Sequence, residues 1–136
     1  MTDAKTYLDR YGKLKLYISA KQRELQDLRN SLLPKSMDYS GVVVQSSPVD
    51  HMADIMAKID EMERKIESET LEALKVLKEI NETISKVEDL TYQALLINYY
   101  VVGLTWEEVS ETMGFEPRWI YELHNRALEE VQKVLQ

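Results

Sequence analysis

Apolar residues recur every seven positions through the first part of the chain. One row consists of Ala4, Tyr11, Ile18, Leu25 and Leu32, and a second row consists of Tyr7, Leu14, Lys21 and Leu28. Two rows with this spacing are typical of the seam of a coiled coil. The pattern therefore predicts a helix over about residues 3–33, with Lys21 as the one charged residue in its seam.

A second heptad pattern predicts a longer helix over about residues 49–89. Its first row is apolar throughout and consists of Met52, Ile59, Ile66, Ala73, Ile80 and Val87. Its companion row contains Ile55, Met62 and Glu69 and then shifts by one position to Leu77 and Ile84. Such a shift is typical of a stutter, which locally unwinds the supercoil. A helix this long cannot bury its apolar face alone, so we expect it to pack on the first helix, on another chain or on both.

Residues 34–48 are predicted to form the loop between these helices. Pro34 ends the first helix because proline lacks the backbone N–H that a helix interior needs. The loop is polar except for Val42, Val43 and Val44. These valines can form either a short strand or an ordered loop packed on the helices, and the second interpretation is favoured. A connection of this length is either functional or flexible.

The distribution of charge predicts that the two long helices pair with each other. Residues 1–33 carry seven Lys/Arg and four Asp/Glu, whereas residues 49–89 carry six Lys/Arg and twelve Asp/Glu. Exposed ion pairs contribute only about 0.3–0.5 kcal/mol each, so charge selects the partner while the apolar seam stabilises the pair. We expect an antiparallel hairpin. The surplus length of the second helix should contact the C-terminal region or form a homodimer through the coiled coil.

Composition narrows the class of protein. The chain has 136 residues, is 44% hydrophobic and contains no cysteine. The length allows one ordinary domain or two small ones, and the lack of cysteine excludes disulfides and thiolate metal sites. The sequence has neither a stretch of 18 apolar residues nor an apolar secretory signal at its start, which indicates a soluble cytoplasmic protein without membrane contact.

An enzymatic function is not expected. The sequence contains no glycine-rich phosphate loop, and no set of Ser, His and Asp has a supporting context. His51 and His124 are the only histidines. Without cysteine, and without two histidines close together in the sequence, a zinc site is not expected. We therefore expect no catalytic residue, no metal and no cofactor.

Residues 90–136 show the features of two helices joined by a tight turn. Thr105 and Glu108 have the spacing of a capping box, which predicts that a helix begins there. Gly114 suits the left-handed conformation that ends a helix, and Pro117 suits the first position of the next helix. An apolar stripe then follows at three- and four-residue steps: Ile120, Leu123, Ala127, Val131 and Val134. This layout is typical of a helix-turn-helix, whose second helix can enter the major groove of DNA.

Several residues of this segment form a recognisable pattern. They are Thr105, Glu107-Glu108-Val109, Gly114, Ile120 and Asn125-Arg126-Ala127-Leu128, preceded by Leu95-Leu96-Ile97-Asn98-Tyr99-Tyr100 and Gly103. With them, about residues 90–135 resemble region 4 of the sigma-70-type transcription factors, which reads promoter DNA. The resemblance implies a three-helix domain that binds double-stranded DNA and contacts RNA polymerase.

The whole chain is also similar to small phage and prophage proteins of Gram-positive bacteria, in which a coiled coil precedes a sigma-like domain. This similarity rests on Val44-Gln45-Ser46-Ser47, Lys58-Ile59-Asp60, Arg118-Trp119 and Leu123-His124. Such proteins are described as transcriptional regulators. Together the patterns predict an all-α chain, with a long antiparallel coiled-coil hairpin at residues 1–89 and a three-helix helix-turn-helix domain at residues 90–136.

The sigma resemblance implies which side chains face DNA. In that family the positions of Arg118, Trp119, Tyr121, Glu122 and Arg126 face the groove or the backbone, and Asn125 lies beside them. By their chemistry, arginine suits guanine, glutamate accepts from cytosine, and asparagine pairs with adenine. The helix starts at Thr105 and Pro117 can bind phosphate through backbone N–H groups.

Some positions depart from the sigma pattern. Glu116 stands where a Ser or Thr cap is usual, and Tyr121 and Glu122 stand where Arg, Lys or Gln is common. Trp119 has an alternative role as a packing residue against the coiled coil.

Charge opposes DNA binding by the C-terminal region. Only Arg118, Arg126 and Lys133 are basic after residue 90, against seven Asp/Glu, and DNA affinity comes largely from neutralising phosphates. Three functions stay open. The favoured one is a phage-type transcriptional regulator that reads promoter-like DNA through the helix at residues 117–135. The second is a small terminase-like DNA-packaging adaptor, which assembles as a ring. The third is a protein-interaction module without DNA binding.

Overall fold

A computed structural model describes residues 3–33 and 48–136 of the chain. The helices are α1 (Ala4–Asn30), α2 (Pro48–Ser85), α3 (Leu90–Leu96), α4 (Trp106–Met113) and α5 (Pro117–Leu135), and a π-helical segment, Ile97–Val102, follows α3 directly. No strand occurs within these described residues, so the predicted all-α class is confirmed. Residues 34–47, which include most of the predicted loop and its three valines, lie outside the described residues.

Both long helices end earlier than predicted. α1 ends at Asn30, because the backbone N–H of Leu32 donates to the carbonyl of Arg29 at 3.0 Å and closes a tighter turn. α2 ends at Ser85 rather than near residue 89. Asp89 is extended, and its carboxylate accepts hydrogen bonds from the first N–H groups of α3. A residue in this capping conformation begins a new helix and cannot continue the previous one.

The predicted seam of α1 is confirmed by the exposure of its side chains. Every residue of both heptad rows is buried or half-buried. Leu8 belongs to neither row, yet its exposed fraction is 0%. It lies in a core that includes residues of the C-terminal helices. The buried face of α1 is therefore wider near its start than a two-row seam requires.

α2 also buries a wider face than predicted toward its C-terminal end. Val76 and Thr83 are buried and continue the companion row in heptad step, without the predicted shift. Ile84 is buried and Leu77 is half-buried, so the positions assigned to the shift form an additional row. This part of α2 shares a core with both α1 and the C-terminal helices, which explains why three rows are covered. At the other end of α2, Met52 is 49% exposed, so the first row is not buried throughout.

Contacts divide the described residues into two compact units. One contains residues 3–15 and 72–136, and the other contains residues 16–33 and 48–71. This division differs from the predicted boundary at residue 89, because the beginning of α1 and the end of α2 share one core with α3, α4 and α5. That core consists of Ala4, Leu8, Val76, Ile80, Ile84, Val87, Leu95, Leu96, Tyr100, Val109, Ile120, Leu123, Ala127 and Val131.

In the larger unit, α1 and α2 run antiparallel. The hydroxyl of Tyr7 lies 2.9 Å from the hydroxyl of Thr83, and Arg10 Nη2 lies 3.0 Å from Glu79 Oε2. The partner number on α2 falls as the number on α1 rises, as an antiparallel hairpin requires. The start of α1 also reaches α5, because the backbone N–H of Ala4 donates to the side-chain Oε1 of Gln132 at 2.8 Å.

In the smaller unit, α1 and α2 form an apolar seam with charged flanks. Leu25 and Met62 are buried, and Arg29 Nη2 lies 2.9 Å from Glu63 Oε1. This ion pair joins basic α1 to acidic α2, as the charge distribution predicts. The two charged seam residues, Lys21 and Glu69, line the same small depression. Within residues 3–33 and 48–136, no helix has the length and apolar character needed to cross a membrane.

Candidate functional site

The candidate site is built on α4, α5 and the turn between them. α4 begins at the predicted capping box: the Thr105 hydroxyl accepts from the backbone N–H of Glu108 at 3.2 Å, and the Glu108 carboxylate accepts from the backbone N–H of Thr105 at 3.0 Å. Hydrogen bonds from the backbone N–H and then from the hydroxyl of Thr105 lower the pKa of Glu108. Thr105 is exposed, and its side chain is engaged in closing the helix start.

The turn between the helices has the predicted backbone conformation. Gly114 has a φ of 73°, which is the left-handed conformation that glycine adopts without strain. Pro117 occupies the first turn of α5, as predicted. Glu116 precedes it in an extended conformation, and its side chain makes no capping hydrogen bond. The first N–H groups of α5 therefore lack the side-chain acceptor that Ser or Thr would supply there.

One face of α5 is anchored in the core. The apolar stripe predicted for this helix is confirmed for Ile120, Leu123, Ala127 and Val131, which are all buried. Val134 is half-buried. α5 packs on α3 and α4 through this face. Burial of an aliphatic side chain contributes about 1.5–3 kcal/mol, so this face holds the helix firmly against the unit.

An aromatic cluster packs against α5 through His124. His124 is buried, and its Nε2 lies 2.6 Å from the hydroxyl of Tyr100 in the π-helical segment. The His124 ring meets the Trp106 ring edge-on at 4.5 Å, and Trp106 stacks on Tyr99 with ring centres 3.7 Å apart. This cluster connects the middle of α5 to the π-helical segment and to the first residue of α4.

Burial changes the acid–base properties of this pair. Loss of hydration disfavours the charged form of each group. Burial, together with a smaller repulsion from Lys5, lowers the pKa of His124 to about 4. Burial is also the main reason why the pKa of Tyr100 is raised. Both side chains are therefore neutral near pH 7. The hydrogen bond between them joins two uncharged groups, which suits a structural role.

The opposite face of α5 presents the predicted reading residues to solvent. Five exposed side chains line one shallow surface, which we call the outer face of α5. They are Arg118, Tyr121, Glu122, Asn125 and Arg126. Glu129 lines the same surface. Glu129 was not among the predicted site residues, although its position one turn after Asn125 and Arg126 indicates that it shares their side of the helix.

Trp119 is an exposed neighbour of this surface. Its side chain is 40% exposed, and the guanidinium carbon of Arg126 lies 5.2 Å from the centre of its ring. This separation is typical of a cation–π contact. The alternative prediction that Trp119 packs against the coiled coil is not what the structure shows. Thr105 and Pro117 do not line the outer face; they occupy the starts of α4 and α5.

The outer face carries charges of both signs. Arg126 Nη2 lies 3.2 Å from Glu122 Oε1, and both side chains are about half exposed. Arg118 forms no ion pair with any residue in the described part of the chain. The surface therefore combines one guanidinium without an ion-pair partner among the described residues, a second guanidinium held by a carboxylate, and the amide of Asn125. This chemistry suits recognition of a polar macromolecule.

The fold and this surface define an all-α protein in which α5 buries one face in the core and exposes the other. The chain belongs to the family described as "Protein of unknown function (DUF1492)", whose model matches residues 32–132. No curated protein and no solved structure matches the chain. The family description states no activity.

Proposed function

We propose that the protein is a DNA-binding transcriptional regulator that reads duplex DNA with the outer face of α5. The observation that supports this most directly is the division of α5 into two faces. Ile120, Leu123 and Ala127 are buried, while Arg118, Asn125 and Arg126 are exposed together. A rigid helix that presents Arg and Asn outward is the form in which helix-turn-helix proteins read base edges in the major groove.

A shorter helix and a tight turn precede α5, as in a helix-turn-helix. α4 has eight residues and α5 has 19, and residues 114–116 join them. In such proteins the first helix crosses the DNA backbone while the second enters the groove. The uncapped first turn of α5 can donate N–H groups to a phosphate. The resemblance to sigma region 4 points to promoter-like DNA and to RNA polymerase as a second partner.

Charge sets the expected strength of binding. Two arginines on the outer face contact at most about two phosphates per chain, so the affinity should fall with salt at a slope no steeper than about −2 on logarithmic axes. This is a shallow slope for a DNA-binding protein, and binding by a single chain should be weak. We therefore also propose a homodimer formed through the coiled coil, because a dimer doubles the number of phosphate contacts.

A second function is supported by a different observation. Trp119 and Tyr121 are 40% and 59% exposed on a C-terminal region with an excess of carboxylates. Trp, Tyr and Arg are the residues that dominate binding energy at protein interfaces. A protein-interaction module that binds RNA polymerase or another protein without touching DNA therefore remains the alternative.

The deciding experiment is a fluorescence-anisotropy titration of the full chain on a pool of random-sequence duplexes. It is run at about 25 mM and 150 mM salt, because phosphate contacts lose affinity over this range. We expect saturable binding at low salt and weaker binding at high salt. Arg118→Ala should reduce the affinity and lower the salt slope by about 1.

Lys133→Ala provides the matched control. It removes one positive charge from the same helix, but Lys133 lies in the last turn, pairs with Glu130 at 3.1 Å and does not line the outer face. Its effect should be much smaller than that of Arg118→Ala. Equal effects would mean that only net charge matters and would reject the outer face as the reading surface. Absence of binding at both salt concentrations, together with capture of RNA polymerase, would favour the interaction module. Light scattering that gives about eight subunits would instead favour the packaging adaptor.

A further inference from the structure

Glu122 occupies a distinctive position on the outer face. It lies four residues after Arg118 and four residues before Arg126, so it is one helical turn from each guanidinium. Its Oε1 is 3.2 Å from Arg126 Nη2. Arg118 forms no ion pair in the described part of the chain. On the outer face, Glu122 therefore pairs with Arg126 and not with Arg118.

Arg126 is held from two sides. The carboxylate of Glu122 pairs with its guanidinium, and the ring of Trp119 lies 5.2 Å from its guanidinium carbon. A phosphate that approaches Arg126 must displace Glu122 or accept a carboxylate beside it. Like charges at such separations repel, and the repulsion is larger where water is excluded. Glu122 therefore opposes contact with any phosphate, whatever the base sequence.

The same carboxylate can also make a favourable contact. A glutamate oxygen accepts a hydrogen bond from the exocyclic amino group of cytosine in the major groove, and a good base contact of this kind discriminates by about 1–3 kcal/mol, or roughly five- to 150-fold. When a cytosine faces Glu122, the carboxylate regains a partner as Arg126 turns toward a phosphate. When another base faces it, the carboxylate loses Arg126 and gains nothing.

We propose that Glu122 is the specificity-determining residue of the outer face, which suppresses binding to duplexes in general and permits it where an amino group of cytosine meets its carboxylate. This inference rests on the proposed DNA-binding function. It assigns Glu122 two roles, one through Arg126 and one through the base. The two roles make opposite predictions for the affinity toward random and selected sequences, so they can be measured separately.

The test uses Glu122→Gln in the full chain. Gln keeps the size of the side chain and removes its charge, and the position is exposed, so the fold should be retained. Duplexes are first selected from a random pool by repeated binding to the wild-type protein. The affinities of each variant are then measured for a selected duplex, for the same duplex with its cytosines replaced one at a time, and for the random pool.

We expect Glu122→Gln to bind the random pool about five- to tenfold more tightly at low salt, because one repulsion is lost and Arg126 is released. Its salt slope should become steeper by about 1, since Arg126 now contacts a phosphate. Discrimination between the selected duplex and the pool should fall at least about fivefold. Replacing one particular cytosine should cost less affinity than it does in the wild type, because an uncharged amide oxygen is a weaker acceptor than a carboxylate.

Glu129→Gln is the matched control. Glu129 lines the same surface, and the substitution changes the charge identically. Glu129 forms no ion pair with either arginine of that surface in the described part of the chain. Its substitution should raise the affinity for the random pool only about twofold and should leave discrimination unchanged.

Two results would overturn the inference, and they are distinguishable. If the wild-type protein binds duplexes but Glu122→Gln and Glu129→Gln behave alike in affinity and discrimination, Glu122 has no special role and the proposed function stands. If the wild-type protein and both variants bind no duplex at any salt concentration, the proposed DNA-binding function fails and the role of Glu122 fails with it.

Discussion

The hydrogen bond between Tyr100 and His124 offers a sharp test of how α5 is held in place. Tyr100→Phe removes one hydroxyl and leaves the ring. In the native structure the hydroxyl lies 2.6 Å from His124 Nε2, and both residues are buried. No buried side-chain nitrogen or oxygen in the described residues lacks a partner. The substitution therefore creates a buried polar atom without one.

The expected cost follows from that orphaned nitrogen. A hydrogen bond between neutral groups contributes about 0.5–1.5 kcal/mol, and a buried polar atom left without a partner costs about 1–3 kcal/mol. We expect Tyr100→Phe to lower the free energy of unfolding by about 2 kcal/mol. For a chain of this length such a change lowers Tm by roughly 6–10 °C.

Urea unfolding at pH 7, followed by tryptophan fluorescence, measures this cost. Trp106 lies 4.5 Å from His124 and stacks on Tyr99, so its emission reports on this cluster. Tyr99→Phe is the matched control, because it removes a neighbouring hydroxyl that forms no hydrogen bond in the described part of the chain, and it should cost less than about 0.5 kcal/mol. If both variants unfold at the same urea concentration as the wild type, the hydrogen bond does not stabilise the unit and the reasoning is wrong.

Four further predictions follow from the same structure. The folded state holds the pKa of His124 at about 4, below its usual 6.5, so the unfolded state binds more protons between these two pH values. The free energy of unfolding should therefore be greatest above about pH 6.5. It should fall by about 2 kcal/mol as the pH drops to 4, after allowance for partial solvation of the ring. A flat unfolding profile over that range would contradict this. Thr105→Ala removes the hydroxyl that accepts from the backbone N–H of Glu108 at the start of α4 and should cost about 1 kcal/mol in urea unfolding. No change would show that the cap is dispensable. Leu8→Ala creates a cavity in the core of the larger unit and should cost about 2–5 kcal/mol, measured in the same way; a loss below 1 kcal/mol would mean that Leu8 is not packed as described. A double-mutant cycle on Arg10 and Glu79, which are partly exposed, should give a coupling energy below about 1 kcal/mol, and a larger value would mean that charge stabilises the pair as well as selecting the partner.

Much of the fold could be predicted because it depends on residues close together in the sequence. The heptad rows of α1, the capping box at Thr105, the left-handed Gly114 and the first-turn Pro117 are all present in the structure. Each depends on hydrogen bonds or side-chain spacing within about one or two helical turns. Helix ends were predicted less well. α2 ends at Ser85, where the backbone N–H groups of Lys86 and Val87 close tighter turns, and Asp89 caps the start of α3.

The candidate site could also be predicted only in part. The positions of Arg118, Glu122 and Arg126 on one side of a helix follow from their four-residue spacing, and the structure places all three on the outer face of α5. Whether Trp119 points outward or packs inward could not be decided from spacing, because its position lies beside the apolar stripe and allows either orientation. The structure shows it exposed beside Arg126.

The sequence by itself determined which segments are helical, where α4 and α5 begin, and which side of α5 carries polar groups. These properties come from local hydrogen bonds and from the periodicity of apolar residues. Only the tertiary structure decided that Leu8, Val76 and Thr83 are buried and that Tyr100 meets His124. It also joined the beginning of α1 and the end of α2 to the C-terminal helices in one core. Burial and pairing of this kind depend on segments far apart in the chain, and no pattern within a single helix specifies which of them will meet.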